Sequence, residues 1–467
     1  MSAAVEAPEP TPRDAGPDRF VYIQTFGCQM NVVDTDRIFQ VLAPLHYSPT
    51  DDPSRADLIL LNTCSVRDKA EQKMLSELGR LAGLKDYNQD LVLGVAGCVA
   101  QQEGARLLDK VPYLDLVMGP DNIAQLPDIL DRVRRGGDRV AETTFANRKE
   151  YEFIETVPQT VGKVSEFITI MKGCDKVCTF CIVPFTRGRE VSKPADLIVR
   201  EVETLVASGV RDVTLLGQNV NSYGKDRERQ PHFAELLRAV DAVEGLERLR
   251  FTTSHPTDCT DELIDCFGEL RTLCEYFHLP VQCGSDRVLE AMRRPYTVEH
   301  YLGRVARLRE RVPDIALTTD IIVGFPGETE ADFEMTLELL RQVRYDSIYS
   351  FKYSPRPGTR AAAMEDDVPE PEKQRRLAEV QRLQDVIYDE ILGSYAGRTV
   401  EILIEGPSRK AARGGEAALQ LTGRTRSNIV INFPVPVADL VSRRWIGKLA
   451  PVKVERVLSH TLFGTLA

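Results

Sequence analysis

Three cysteines constrain this 467-residue chain more than any other feature. They lie in the run Met171-Lys172-Gly173-Cys174-Asp175-Lys176-Val177-Cys178-Thr179-Phe180-Cys181, a CxxxCxxC loop that follows a short apolar segment, residues 167–171. Thiolates are soft ligands, and three this close suit three irons of a [4Fe-4S] cube. The fourth iron then lacks a protein ligand, and an open position on a metal is where substrate chemistry takes place. The spacing therefore predicts a catalyst. The competing reading is structural zinc, which needs a closed tetrahedron of four ligands; no fourth Cys or His stands near this triplet in sequence.

The length allows two to four domains with cores of their own. The chain is 43% hydrophobic and 28% charged, as soluble globular proteins are. No apolar run approaches the roughly 20 residues of a membrane span. Residues 1–18, rich in Ala, Pro, Glu and Asp, lack the apolar core of a signal peptide and read as a disordered tail. Ten cysteines without a secretion signal point to a reducing, cytoplasmic setting, in which metal binding or catalysis is expected before disulfides.

The segment 19–146 repeats a strand-then-helix pattern three times. Apolar runs at 20–25, 58–62 and 91–96 are followed by helical patterns, such as 65–84 with Leu75, Leu78 and Leu81. Such alternation implies an open parallel α/β sheet. Each run ends in a cysteine: Phe26-Gly27-Cys28, Asn62-Thr63-Cys64 and Ala96-Gly97-Cys98. Ligands of open α/β sheets bind at the carboxyl ends of strands, so Cys28, Cys64 and Cys98 are candidate ligands of a second Fe–S cluster. Three unrelated buried cysteines are the alternative.

Residues 160–392 hold six further apolar runs, at 167–171, 213–217, 248–253, 276–281, 315–323 and 347–353, with helical patterns between them. This predicts a partial (β/α) barrel whose site lies at the carboxyl ends of its strands, where the CxxxCxxC loop falls. A charged amphipathic helix at 372–392 reads as a connector packed on the barrel. Residues 394–463 are short-stranded and punctuated by Gly and Pro, with runs at 399–404, 418–422, 428–433 and 448–458, which fits a small antiparallel β-barrel. The charge is uneven: the chain carries a net −11, yet from Ser394 onward eleven Lys/Arg face five Asp/Glu. A basic module on an acidic body can be a footprint for phosphate.

With these residues in view, nearly the whole chain after residue 18 resembles the radical-SAM methylthiotransferases, and within that family their MiaB type. The resemblance rests on the CxxxCxxC loop with Phe180 before its last Cys and on Gln24-Thr25-Phe26-Gly27-Cys28-Gln29-Met30-Asn31. It extends to Cys181-Ile182-Val183-Pro184-Phe185-Thr186-Arg187-Gly188-Arg189-Glu190, Leu216-Gly217-Gln218-Asn219-Val220-Asn221 and Thr319-Asp320-Ile321-Ile322-Val323-Gly324-Phe325-Pro326-Gly327-Glu328. Two departures stand out. Met171-Lys172 precedes Gly173 where an Arg-Gly pair is commoner, and Cys283 stands where Ser is usual. Neither removes a ligand, but Cys283 adds a thiol near the expected site.

The resemblance implies an amino-terminal cluster domain, a radical-SAM domain and a carboxy-terminal TRAM domain. It also implies two [4Fe-4S] clusters. Cys174, Cys178 and Cys181 would hold the cluster that cleaves S-adenosylmethionine (SAM) to methionine and a 5′-deoxyadenosyl radical. Cys28, Cys64 and Cys98 would hold an auxiliary cluster carrying the sulfur to be transferred. The implied reaction converts N(6)-dimethylallyladenosine at tRNA position 37 to its 2-methylthio derivative, with one SAM as methyl donor and another as radical source. Carbon 2 of adenine has no acidic proton and no leaving group, so a cofactor-borne hydrogen abstractor is required. Gly217, Gln218, Asn219 and Gly324 are candidate SAM contacts. Arg424, Arg426, Arg443, Arg444 and Lys448 are candidate contacts to tRNA phosphates, with Trp445 assigned to the barrel core. His255, His278 and Asp320 fall near strand ends, and Cys259, Cys266 and Cys274 suit core positions. A flavodoxin-type reductant, a monomeric state and no membrane association complete the expectation. The rivals are methylthiolation of threonylcarbamoyl-adenosine or of a ribosomal-protein aspartate, a non-catalytic Fe–S RNA-binding protein, and a zinc-stabilised RNA-binding scaffold.

Overall fold

Unbroken apolar runs become strands buried at every position: β3 (Leu58–Thr63) and β4 (Val92–Gly97). Such strands need cover on both faces, as parallel sheets provide. The computed structural model describes residues 19–65, 68–149, 151–155, 162–226, 231–408, 420–436, 438–439 and 443–467; the expected tail at 1–18 lies outside the described residues. Two compact units divide at Phe145 and Ala146.

In the first unit, β3 and β4 form the middle of a six-stranded sheet. Its other members are β1 (Arg19–Phe26), β2 (Tyr47–Pro49), β5 (Leu116–Met118) and β6 (Val140–Glu142). The order is β2-β1-β3-β4-β5-β6, and every pair is parallel. The sequence pattern reveals β1, β3 and β4. The other three strands have three residues each, too few to show periodicity. Register matters here: Phe26 pairs with Thr63, and Thr63 with Gly97. The three Cys-bearing strands therefore end level with one another. On one face, Ile59, Leu61, Leu93, Val95 and Val117 pack against Met74, Leu78 and Leu81, which lie on the helix Asp68–Ala82.

The second unit contains six parallel barrel strands. They are β7 (Ser165–Thr169), β10 (Asp212–Leu216), β11 (Arg248–Thr252), β12 (Tyr276–His278), β13 (Ala316–Val323) and β14 (Ser347–Lys352), with β8 (Met171–Lys172) and β9 (Val191–Ser192) forming a separate antiparallel pair. Sheets β11-β10-β7 and β12-β13-β14 are joined by a bridge between Leu249 and Leu273. Among the described residues no pairing joins β14 back to β7, so the barrel is incomplete. Val213, Leu215, Leu249, Phe251, Phe277, Leu317 and Val323 share one core with Ile198, Val202, Leu237, Leu337 and Leu340 of the surrounding helices. The alternate positions, including Thr214, Arg250, His278 and Asp320, point the other way by strand geometry. The connector helix, Glu370–Gly393, packs on this barrel. Val380 and Ile387 are buried, Gln384 donates to the Tyr345 carbonyl at 2.8 Å, and Arg376 pairs with buried Glu328 at 2.8 Å.

The carboxy-terminal strands β15 (Thr399–Pro407), β16 (Gln420–Arg424), β17 (Val430–Pro434), β18 (Leu449–Val457) and β19 (Leu462–Leu466) close into a barrel in the order β15-β16-β17-β19-β18. It differs from the expected antiparallel barrel in two ways. A fifth strand, β19, follows a turn without Gly or Pro, and its pairing with β17 is parallel.

Gly97 shows how tightly the Cys-bearing edge is built. Its φ of 90° and ψ of −157° belong to glycine alone. A Cβ there would stand 2.4 Å from the Asn62 side-chain oxygen and 2.9 Å from the Thr63 carbonyl. Gly97→Ala is expected to destabilise the first unit by roughly 1–3 kcal/mol, read by urea denaturation; an unchanged midpoint and slope would contradict it.

Candidate metal and nucleotide centre

Gly173 determines the shape of the CxxxCxxC loop. Its φ is +74°, and a Cβ would lie 2.0 Å from the Arg189 carbonyl oxygen, so only glycine lets the two ends of the loop pass. The β8–β9 pair closes the same neck, matching Met171 with Ser192 and Lys172 with Val191. Within the neck, Cys174 N–H donates to the Gly188 carbonyl at 3.1 Å. Asp175 and Glu190 exchange backbone-to-carboxylate bonds at 3.2 and 3.0 Å. The Gly173 N–H donates to the Gln218 side chain.

The stretch between Cys178 and Cys181 is held from far along the chain. Thr179 donates through its N–H to the Met292 carbonyl and through its hydroxyl to the Ala291 carbonyl, both at 3.0 Å. Its own carbonyl accepts from Ala361 N–H at 2.9 Å. Phe180 packs on an apolar cluster of Cys283, Leu289, Met292, Phe325 and Tyr353. Lys176, inside the loop, pairs with Asp258 at 2.8 Å, which also takes Lys225 at 2.6 Å and Asn219 at 3.0 Å. These donors hold the Asp258 carboxyl below its ordinary range despite burial.

Burial raises the Cys174 thiol well above its usual value, so loading a metal there must displace a proton. Among the described residues no three His, Cys, Asp or Glu side chains converge as a single metal ion requires. A cube of four irons instead spreads its thiols around a larger body. The carboxyl ends of β7, β10 and β11 also fit a polar ligand. Buried there without hydrogen-bond partners are Thr169 Oγ1, Gln218 Nε2, Asn219 Oδ1, Ser254 Oγ and His255 Nε2. Buried polar atoms are normally satisfied, so five orphans at one set of strand ends mark a place for hydrogen-bonding groups from outside the chain.

Of the residues expected to meet SAM, Gln218 and Asn219 brace the cysteine loop with one end and leave the other unsatisfied. Gly217 and Gly324 admit neighbours: a Cβ would meet Met171 Cγ at 2.5 Å and Lys373 Cγ at 2.4 Å, respectively. His255 is held neutral by burial first, then by Arg294 and Lys176. His278 bonds Thr318 at 2.9 Å and faces Asp320 at 3.6 Å. Cys283 is fully buried, bonded to Thr336 and Ser285, and burial pushes its thiol up to about 12; it is a core residue and not an accessible extra ligand. Cys259, Cys266 and Cys274 are likewise buried.

In the first unit, Cys28 precedes the helix Gln29–Leu42, Cys64 follows β3, and Cys98 opens the helix Cys98–Glu103. A Cβ on Gly27 would lie 2.4 Å from the Cys64 Cβ, so two of the Cys-bearing turns touch through a gap that glycine leaves. Asn31, whose role the motif does not reveal, accepts from Cys28 N–H at 3.3 Å and Sγ at 3.5 Å. It also donates to buried Asn62 at 3.1 Å, tying the first turn to the second.

The arginines expected to meet RNA divide. Arg426 is engaged within the protein: it grips Glu275 at 2.7 and 2.9 Å and the Leu273 and Arg271 carbonyls at 2.6 and 3.1 Å. Arg424 pairs with Glu405 at 2.8 Å. Their turn seats on the amino end of the parallel barrel, where buried Arg250 donates to the Thr425 and Arg426 carbonyls at 2.9 Å while pairing with Asp212 at 3.1 Å. Arg426 is thus committed to partners within the protein, whereas Arg424, with about 36% of its side chain exposed, keeps part of its guanidinium at the surface. Arg444 pairs with Asp439 at 2.8 Å. Trp445 packs on the barrel core and donates its indole N–H to the same carboxylate at 3.0 Å. Arg443 and Lys448 line a cavity of about 450 Å³ with Arg211.

Comparison with known proteins agrees with this architecture. Residues 20–119 match the Uncharacterized protein family UPF0004, residues 168–340 the Radical SAM superfamily, and residues 393–467 the TRAM domain. Among solved structures, the radical S-adenosylmethionine methyltransferase TsrM from Kitasatospora setae superposes with a TM-score of 0.54 at 16% identity, covering 74% of this chain and 77% of its own; the likeness is one of fold. Fold and cysteine loop together define a multidomain radical-SAM protein. The tRNA-2-methylthio-N(6)-dimethylallyladenosine synthase of Myxococcus xanthus is 53% identical over 95% of this chain and 93% of its own, and that of Geobacter sulfurreducens is 48% identical over 96% and 98%. The chain belongs to the family of tRNA-2-methylthio-N(6)-dimethylallyladenosine synthases.

Arg426→Ala should lower stability by about 1.5–3 kcal/mol, because it removes the hydrogen bonds to Glu275 and to the Leu273 and Arg271 carbonyls in a partly buried seam. The salt slope of RNA binding should stay as in the wild type. A stable variant with a shallower slope would restore Arg426 as a phosphate contact.

Proposed function

We propose that this protein methylthiolates carbon 2 of N(6)-dimethylallyladenosine at tRNA position 37, giving the 2-methylthio nucleoside. The observation that carries the reading is a pair of cysteine triads, each at the carboxyl ends of parallel strands, in a chain 53% identical to a synthase of that name. In this reading Cys174, Cys178 and Cys181 hold one [4Fe-4S] cluster, and Cys28, Cys64 and Cys98 hold a second. When bound, the first supplies the electron that turns SAM into a hydrogen abstractor, and the second supplies the sulfur.

The rest is the work of the chain's own groups. Gln218 and Asn219 fix the neck of the loop while offering an amide N–H and an amide oxygen to SAM. Ser254 and His255 present further unpaired polar atoms. Tyr349 and Phe351, exposed on the edge strand β14, lie in register with Asp320 and Ile322 and offer flat apolar faces to a nucleobase. Arg443, Lys448 and Arg211 offer cations to the tRNA backbone. Residues 19–146, 160–392 and 394–463 serve as the cluster, radical-SAM and TRAM domains. The reading takes the enzyme to be a cytoplasmic monomer served by a flavodoxin-type reductant.

Anaerobically reconstituted protein should carry about eight irons per chain, and alanine in place of either triad should leave about four and abolish methylthiolation. Either triad variant keeping full iron would remove that site. Nucleosides from cells lacking the protein should lose 2-methylthio-N(6)-dimethylallyladenosine; its persistence would shift the reading to threonylcarbamoyl-adenosine or a ribosomal-protein aspartate.

A further inference from the structure

Buried guanidinium groups need anions. Arg37, Arg250 and Arg376 each face a carboxylate, Asp34, Asp212 and Glu328. Arg294 does not. It is 7% exposed, and its groups reach the Pro280 carbonyl at 2.6 Å, the Tyr296 hydroxyl at 2.8 Å and the Cys178 sulfur at 3.6 Å. Among the described residues no carboxylate pairs with it. Of these three, the sulfur is the neighbour that becomes an anion when it holds a metal, as a thiolate.

The placement is built and not incidental. Arg293 adopts a left-handed φ of 54°, which ends the helix Asp286–Ala291 and returns Arg294 N–H to the Leu289 carbonyl at 2.8 Å. The same helix end accepts both donors of Thr179, inside the CxxC portion of the loop. One turn of chain thus grips the loop and delivers a cation to one of its sulfurs. Tyr296 locks the guanidinium by accepting from it and donating onward to the Val281 carbonyl at 2.9 Å. The other charges nearby are answered: Lys176 by Asp258, while His255 stays neutral.

We infer that Arg294 is the electrostatic partner of the Cys178 thiolate, setting the reduction potential of the cluster held there. Hydrogen bonds and net charge at the sulfurs tune such potentials. Reduction adds one electron to a cluster already negative through its thiolates, and a fixed cation in a low-dielectric setting offsets that charge. The inference rests on the proposed assignment of Cys174, Cys178 and Cys181.

The test is a redox titration of the reconstituted full-length enzyme, followed by electron paramagnetic resonance without SAM, on wild type, Arg294→Gln and Arg294→Lys. Arg294→Gln is expected to lower the potential of this cluster so that its reduced fraction falls about tenfold at fixed ambient potential, about 59 mV for one electron. The auxiliary-cluster signal should not move, and Arg294→Lys should restore most of the change. Loss of four irons from Arg294→Gln but not from Arg294→Lys, with the thermal transition retained, would equally uphold the charge. An unmoved potential, a weaker affinity for SAM as the sole effect, or equal losses in both variants would overturn it in favour of packing or SAM binding. If wild type carried no cluster at this triad, the site assignment would fail instead.

Discussion

The close passage of Gly173 beneath the Arg189 carbonyl is the constraint from which the catalytic loop takes its form. Because no side chain intervenes, residues 174–188 leave and re-enter the barrel through one neck, closed by β8 and β9. Every later support assumes that neck: Gln218 bonds its backbone, Glu190 spans it, and Lys176 reaches Asp258 across its base. The loop tucks in Phe180 and Ile182 but leaves Val177 and Phe185 exposed. Its shape is maintained by backbone hydrogen bonds and paired charges, whose strength comes from burial.

A second set of buried charges fixes the small carboxy-terminal barrel to the larger one. Arg248 and Arg250 point into the amino end of the parallel barrel and receive the carbonyls of the β16–β17 turn. Guanidinium groups suit this task because each presents several donors in one plane. The end opposite the cysteine loop is thereby capped with polar groups, with Arg248 Nε and Nη2 and Asp212 Oδ1 buried there without hydrogen-bond partners.

Much of this was legible in the sequence, for physical reasons that also mark where legibility stops. Long apolar runs such as 58–63 and 316–323 identify themselves because buried parallel strands need them, and the cysteine triads stand at strand ends where ligands collect. The strands β2, β5 and β6 escape because three residues carry no period, and β19 because its turn lacks Gly and Pro. The partners of Arg426 are invisible in the sequence since charge says nothing of groups 150 residues away, such as Glu275. Arg294 gave no signal at all: its meaning comes from a helix end folded against Thr179, a contact of high sequence separation. The Asn31–Asn62 pair was visible only as letters in a motif until the register of β1 and β3 brought the two turns together.

The seam between β14 and β7, left unpaired among the described residues, has a mechanical consequence. A ring of strands closed all round admits only what can be lowered down its axis. A nucleoside in the middle of a polymer continues in both directions and cannot be threaded that way. A wall with one side left out lets such a residue enter edge-on while its neighbours stay outside, so the same strand count that weakens the barrel as a container makes it a slot.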